Sequence, residues 1–135
     1  MTGANLIIES NLWHAYAASF FNFKELPNQH SFIIITAWNP RSAILSIEEN
    51  RTKNQLLLTD LQGYEWTLGI VGDESFTWCE ESYAVALELE QAINLARKFE
   101  QNAIYRVSGN RLFLHSCLED HQQECLGEFQ SRIVR

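Results

Sequence analysis

The chain has 135 residues, 46% hydrophobic and 20% charged, which suits one domain with its own core and excludes an intrinsically disordered chain. A formal net charge of −7, from 17 acidic and 10 basic residues, argues against nucleic acid, whose binding rests on neutralised phosphates, and against an anionic membrane surface. Cys79, Cys117 and Cys125 are an odd count for a secreted disulfide framework, the first residues lack signal-peptide character, and no apolar run approaches bilayer length, so a soluble cytoplasmic protein is expected.

Ile8, Leu12, Ala15 and Tyr16 fall at helical spacing and predict a helix over residues 5–17. Residues 19–23 are aromatic-rich and read as a strand, and Pro27-Asn28 marks a turn. Residues 31–38 form the strongest strand signal. Its apolar run does not alternate, which predicts a central strand covered on both faces. One layer of helices cannot do that, so the terminal segments are expected to supply the second. Ser46 and Glu49 have the spacing of a capping box at a helix start, and Gly63 is placed to end that helix in a left-handed conformation.

Strands are expected over 65–71 and 78–87, separated by the loop from Gly72 to Ser75, with a helix over 89–100 after them. Ser108-Gly109-Asn110 joins strands 103–107 and 111–115 as a hairpin. The tail from Leu118 to Phe129 reads as weakly helical, interrupted by Gly127. With two prolines and six glycines, no stretch reads as a linker, and residues 1–135 are expected to form a single α+β domain. Its sheet is expected to be mixed or mostly antiparallel, with helices packed on it. From Ser31 onward the order β-α-β-β-α-β resembles a ferredoxin-like split unit, with an additional N-terminal helix and strand.

Ile47, Asn50, Asn54, Leu57 and Leu61 share one face of the capped helix. Leucine and isoleucine mark that face as core-directed, yet two of its five positions are asparagine. A buried carboxamide left unbonded costs roughly 1–3 kcal/mol, so Asn50 and Asn54 are expected to find partners near the corner Thr36-Ala-Trp-Asn-Pro-Arg-Ser42. In one reading they brace the loop backbone around Asn39. In the other, with Asn39, they line a polar cleft that binds a ligand. A phosphate there is disfavoured despite Arg41, because Glu48 and Glu49 occupy the first turn and no glycine-rich loop is present.

On the strand over 78–87, Trp78, Glu80 and Ser82 point one way while Cys79, Glu81 and Tyr83 point the other. Glu80 or Glu81 is the candidate acid/base if the protein is an enzyme. No nucleophile elbow, Ser-x-x-Lys pair or zinc-protease motif is present, so the catalytic residues stay unassigned and no cofactor is expected. Cys117, His121 and Cys125 recur every four residues and would align on a helix, the single metal-like pattern in the chain. Paired Cys-x-x-Cys knuckles and a fourth ligand are missing.

Two segments resemble a known family. The first is Ile35-Thr-Ala-Trp-Asn-Pro-Arg-Ser42 with Ser46-Ile-Glu-Glu-Asn50, Asn54 and the helix end at Gly63. The second is Glu80-Glu-Ser-Tyr83 with Ala92, Leu95-Ala-Arg-Lys-Phe99 and Gln101-Asn-Ala103. In order and spacing they are similar to the bacterial family called domain of unknown function 3293, over a core of about 31–107 and excluding a tail at 118–135. The resemblance implies a small bacterial cytoplasmic protein without an assigned activity. Its recurring positions here are Thr36, Trp38, Asn39, Pro40, Asn50, Asn54, Glu80, Ser82 and Gln101. Glu100 stands where the family pattern has glycine. The leading expectation is a binding or regulatory domain for an unidentified small molecule or protein. The alternatives are an enzyme using Glu80 or Glu81, and an acidic inhibitor or immunity-type partner of a basic protein.

Overall fold

A computed structural model describes residues 7–134. Helix α1 (Ser10–Ala17) opens where the Glu9 side chain accepts from the Leu12 N–H at 3.2 Å. The first two residues expected in that helix, at 5 and 6, lie outside the described residues. Strands β1 (Phe20–Phe23) and β2 (Ser31–Ile35) follow. A short 3-10 turn, Pro40–Ser42, leads into α2 (Ile47–Asp60), and then come β3 (Trp66–Gly72) and β4 (Cys79–Val85). Helix α3 (Leu89–Lys98) precedes β5 (Ala103–Ser108), β6 (Arg111–Ser116), β7 (Gln123–Glu128) and a 3-10 turn at Phe129–Arg132.

The seven strands form one sheet in the order β1-β3-β4-β2-β5-β6-β7, each pair of neighbours antiparallel. This is an α+β fold. Strand β2 lies at the centre, and its unbroken apolar run feeds two cores. Phe32 and Ile34 join a cluster with Trp13, Phe21, Val71, Tyr105 and Phe129. Ile33 and Ile35 join another with Leu57, Leu61, Tyr83, Ala92 and Ala96 beneath α2 and α3. The chain termini do cover the first face, through α1 and the segment after β7. The sheet curls far enough that this segment meets the opposite edge: Val134 N–H donates to the Phe21 carbonyl at 2.8 Å beside a parallel bridge between Phe21 and Ile133. The β1 edge of the sheet is thereby engaged.

Local chemistry explains the element ends. Ser46 caps α2 by accepting from Glu49 N–H at 3.1 Å while Glu49 accepts from Ser46 N–H at 3.1 Å. Helix α3 closes with Gln101 N–H bonded to the Ala96 carbonyl at 2.9 Å and Glu100 at φ +58°. That left-handed conformation is the one glycine takes most readily, so the helix ends in the same way despite the side chain at 100. Gly109, at φ +64°, and Asn110 make the β5–β6 hairpin turn.

Two expectations need correction. Residues 123–128 are the edge strand β7, not a helix. Ile47, expected on the inward face of α2, is 56% exposed, because that face begins a turn later at Asn50. Among the described residues, no helix is long and apolar enough to cross a membrane.

Candidate functional site

The two buried asparagines of α2 face the loop after β2. Asn54 Oδ1 accepts from Ala37 N–H at 2.8 Å, and its Nδ2 donates to the Glu81 carbonyl at 2.9 Å. Thr36 Oγ1 donates to the same carbonyl at 2.7 Å and accepts from Trp38 N–H at 3.1 Å. Asn50 Oδ1 accepts from Asn39 N–H at 2.8 Å, while its Nδ2 donates to Asn39 Oδ1 at 2.9 Å. Asn39 Oδ1 also takes the Leu45 N–H at 3.0 Å. Both carboxamides are therefore satisfied, Asn50 by the loop and Asn54 by the loop and the Glu81 carbonyl of β4, as buried polar groups must be. They brace it; they do not face open space.

The brace holds a strained corner. Asn39, Arg41 and Ser42 have φ of +47°, +51° and +65°, a region that side-chain-bearing residues occupy at a cost of about 1–3 kcal/mol each. Arg41 N–H bonds to the Glu100 carbonyl at 2.8 Å, so the left-handed end of α3 is tied to the same corner. The Arg41 guanidinium turns to the Gln101 carbonyl at 3.0 Å.

On the opposite face of the sheet lies a cavity of about 490 Å³. Leu12, Ala15 and Tyr16 of α1 form one wall, and Ile34, Val71, Ser82 and Tyr105 of the sheet line it from below. The braced corner contributes Thr36, Trp38, Asn39, Ser42 and Ile44, and the β3–β4 loop contributes Asp73 and Trp78. Glu80 enters from β4, where its register opposite Val71 puts it on this face. Its Oε2 accepts from Asn39 Nδ2 at 3.0 Å. Burial pushes the Glu80 carboxyl up to about 7, with the Asn39 hydrogen bond opposing the rise. Trp38, 9% exposed, buries its indole N–H without a partner.

The far side of the cavity is knit by neutral groups. Tyr16 and Ser42 hydroxyls are 3.0 Å apart, and Asn102 Nδ2 donates to Tyr16 Oη at 3.1 Å. Tyr105 Oη is 2.7 Å from both Ser19 Oγ and the Tyr16 carbonyl. Burial raises the Tyr16 phenol and the Tyr105 phenol above their ordinary range, so both stay protonated donors.

Of the residues singled out in the sequence, Thr36, Trp38, Asn39, Glu80, Ser82 and Gln101 line the cavity. Gln101 Nε2 meanwhile donates to the Trp38 carbonyl at 3.0 Å. Arg41, Asn50 and Asn54 do not line it, which corrects the expectation of a cleft walled by the two helical asparagines. Glu81 lies on the other face, paired with Arg51 at 2.8 Å. The Cys117, His121, Cys125 alignment also fails. Cys117 is buried in the α3-side core, His121 sits in a loop at φ +49°, and Cys125 is exposed on β7. No group of three or more metal-ligating side chains gathers among the described residues. The sequence reading did not find Asn102 or Asp73. Tyr16 and Leu12 are legible in the sequence only as helix-face residues, and nothing local shows which sheet face receives α1.

The model of the family described as "Protein of unknown function (DUF3293)" matches residues 35–104, from the end of β2 to the start of β5. Comparison with curated proteins and with solved structures finds no match. The matched segment contains the asparagine brace, the strained corner and Glu80, and the chain belongs to this family.

Proposed function

We propose that this is a small-molecule binding domain, in a bacterial cytoplasmic protein, whose ligand occupies the cavity between α1 and the sheet. One observation carries the reading: a largely apolar cavity of about 490 Å³ closes on a carboxyl group whose hydrogen-bond partner is a single carboxamide. That volume falls in the roughly 300–1,000 Å³ range of ligand pockets, which combine apolar walls with a few placed polar groups. The strained, doubly braced corner beside it supports the reading, since strain of this kind collects at functional sites. The order β5-β2-β4-β3, with α2 and α3 on one face, likewise supports reading residues 31–108 as a ferredoxin-like unit.

A thermal-shift screen of a metabolite library tests the reading, because a ligand bound only to the native state raises its apparent stability. At least one compound should raise the midpoint. Ala15→Trp, at an exposed α1 position lining the cavity, should abolish that rise. A silent library, or a shift that survives Ala15→Trp unchanged, would exclude the cavity as the site.

The ionisation of Glu80 favours a second reading, in which it is a general acid/base held by Asn39. The two readings separate on turnover: Glu80→Gln ends it in an enzyme, while no turnover of any bound compound leaves a binding domain.

A further inference from the structure

We infer that the cavity takes a small organic cation, with an ammonium or amidinium group paired to Glu80 and an apolar, aromatic-compatible body between α1 and Trp78. The inference rests on the reading of the cavity as a binding site and adds the class of its ligand. Three independent features point the same way.

The first is charge. Glu80 and Asp73 line the cavity, and among the described residues no lysine, arginine or histidine does. Arg41, the base nearest in sequence to the corner, directs its guanidinium to the Gln101 carbonyl. Asp73 holds its charge below the ordinary carboxylate range because Thr77 Oγ1 donates to it at 2.6 Å. An anionic ligand would meet two acidic groups and no counter-charge among the described residues.

The second is the unanswered state of Glu80. The ion pairs among the described residues are Arg51–Glu81 and Lys98–Asp60, so Glu80 has no cationic partner. Taking a carboxylate out of water is costly unless it is paired and hydrogen-bonded. Asn39 cannot make up the difference. Its Oδ1 is held by Leu45 N–H and Asn50 Nδ2, which fixes Nδ2 toward Glu80 as a single donor. A ligand cation supplies the missing charge, and a charge-assisted hydrogen bond is about twice as strong as a neutral one.

The third is the wall. Trp38, Trp78, Tyr16 and Tyr105 all line the cavity, and aromatic faces attract organic cations, more strongly as water is excluded. Leu12, Ile34 and Val71 complete an apolar lining suited to a hydrophobic body.

A matched probe set tests this on the full chain by titration calorimetry: tryptamine, its neutral alcohol analogue tryptophol, and the anion indole-3-acetate. Tryptamine should bind at least about tenfold more tightly than tryptophol, with indole-3-acetate weakest, as expected when one close charge pair decides the order. Glu80→Gln, which keeps an acceptor for Asn39, should remove the preference for the amine over the alcohol. The wild-type ranking alone decides the matter if that variant does not fold. Equal or tighter binding of the alcohol or the acid, lost in Ala15→Trp, overturns the cation and leaves the cavity reading standing. No binding by any of the three also overturns the cation, and a silent metabolite library beside it overturns both.

Discussion

Beneath α2, Asn50 and Asn54 are buried with each carboxamide matched to groups of the loop or of β4 at 2.8–2.9 Å. Across the sheet, Glu80 is half-buried with one donor, no counter-charge among the described residues and a cavity in front of it. Both places hold polar side chains where apolar ones are the rule, but only one leaves bonding capacity facing open space. Complete satisfaction marks an internal brace. Incomplete satisfaction beside a void marks the place to look for a ligand. Asn39 joins the two regions, accepting from Asn50 on one side and donating to Glu80 on the other.

The sharpest way to break this comparison is to remove a brace. Asn54→Ala leaves the Ala37 N–H without its acceptor and takes one donor from the Glu81 carbonyl, in a region closed to water. Stability should fall by about 2–4 kcal/mol, from the unmade bonds and the void together, read as a lower urea midpoint at constant slope. A loss too small to resolve would mean that Asn54 is not structural and that the two faces do not differ as described.

The next largest effect is a pH dependence located on the cavity face. The Glu80 carboxyl is raised from 4.5 to about 7 in the folded protein, so the native state binds the extra proton. Its contribution to stability is fully present below about pH 4.5 and is lost as pH rises through about 7. At roughly 1.4 kcal/mol per pKa unit, reduced for partial exposure, the loss is about 2 kcal/mol. His115 on the other face works in the opposite sense. Burial, with Arg106 beside it, lowers its imidazole to about 4, so protonation of the unfolded chain withdraws stability as pH falls below about 6.5. The two oppose each other between about pH 4.5 and 6.5. In Glu80→Gln, unfolding measured from pH 4.5 to 8 should show the His115 rise up to about pH 6.5 unopposed, and lose the wild-type decline between about pH 6.5 and 7. An unchanged profile would show that Glu80 titrates normally.

These contrasts also mark what the sequence could disclose. The non-alternating run Phe32–Ile35 announced a strand covered on both faces, and Ser46 with Glu49 announced a capped helix, because each signal is local. Asn50 and Asn54 could be read as inward-facing from their spacing with Leu57 and Leu61. Apart from the Asn39 side chain, the groups that satisfy them are backbone N–H and C=O, which carry no residue-type signal. Strand β7 was hidden because residues 123–125 are all exposed and pairing with β6 alone holds the edge, which blurs any period-2 pattern. The cavity needed the strand order as well. Tyr16 reaches Asn102 across 86 residues of sequence, and nothing near either position predicts that meeting.

A smaller effect probes the corner that separates the two regions. Glu100, at φ +58°, is exposed and closes α3 in a conformation that favours glycine. Glu100→Gly should stabilise the protein by about 0.5–1 kcal/mol, the relief of strain exceeding the entropy added to the unfolded chain. The Arg41 N–H bond is made by the backbone carbonyl at 100, so the corner should keep its geometry and ligand binding its affinity. A destabilised variant would show that the Glu100 side chain does more than tolerate the turn.

The least effect is expected at Arg51, and it isolates the comparison in two consecutive residues. Glu80 and Glu81 leave β4 on opposite faces. Glu81 has what Glu80 lacks, a guanidinium held through Nη2 at 2.8 Å and Nε at 3.2 Å, but this pair lies in water, with the Arg51 side chain 61% exposed. Solvent and salt screen such a pair almost completely. Arg51→Ala should therefore shift the unfolding midpoint by no more than the scatter between repeats, in low salt and in 0.5 M salt (about a 4 Å screening length) alike. What residue 81 gives the fold is its carbonyl, which receives Thr36 and Asn54, and that group is untouched by the substitution. A clear loss on removing Arg51 would make the paired glutamate, rather than the unpaired one, the charge that matters, and would reverse the assignment of brace and site to the two faces.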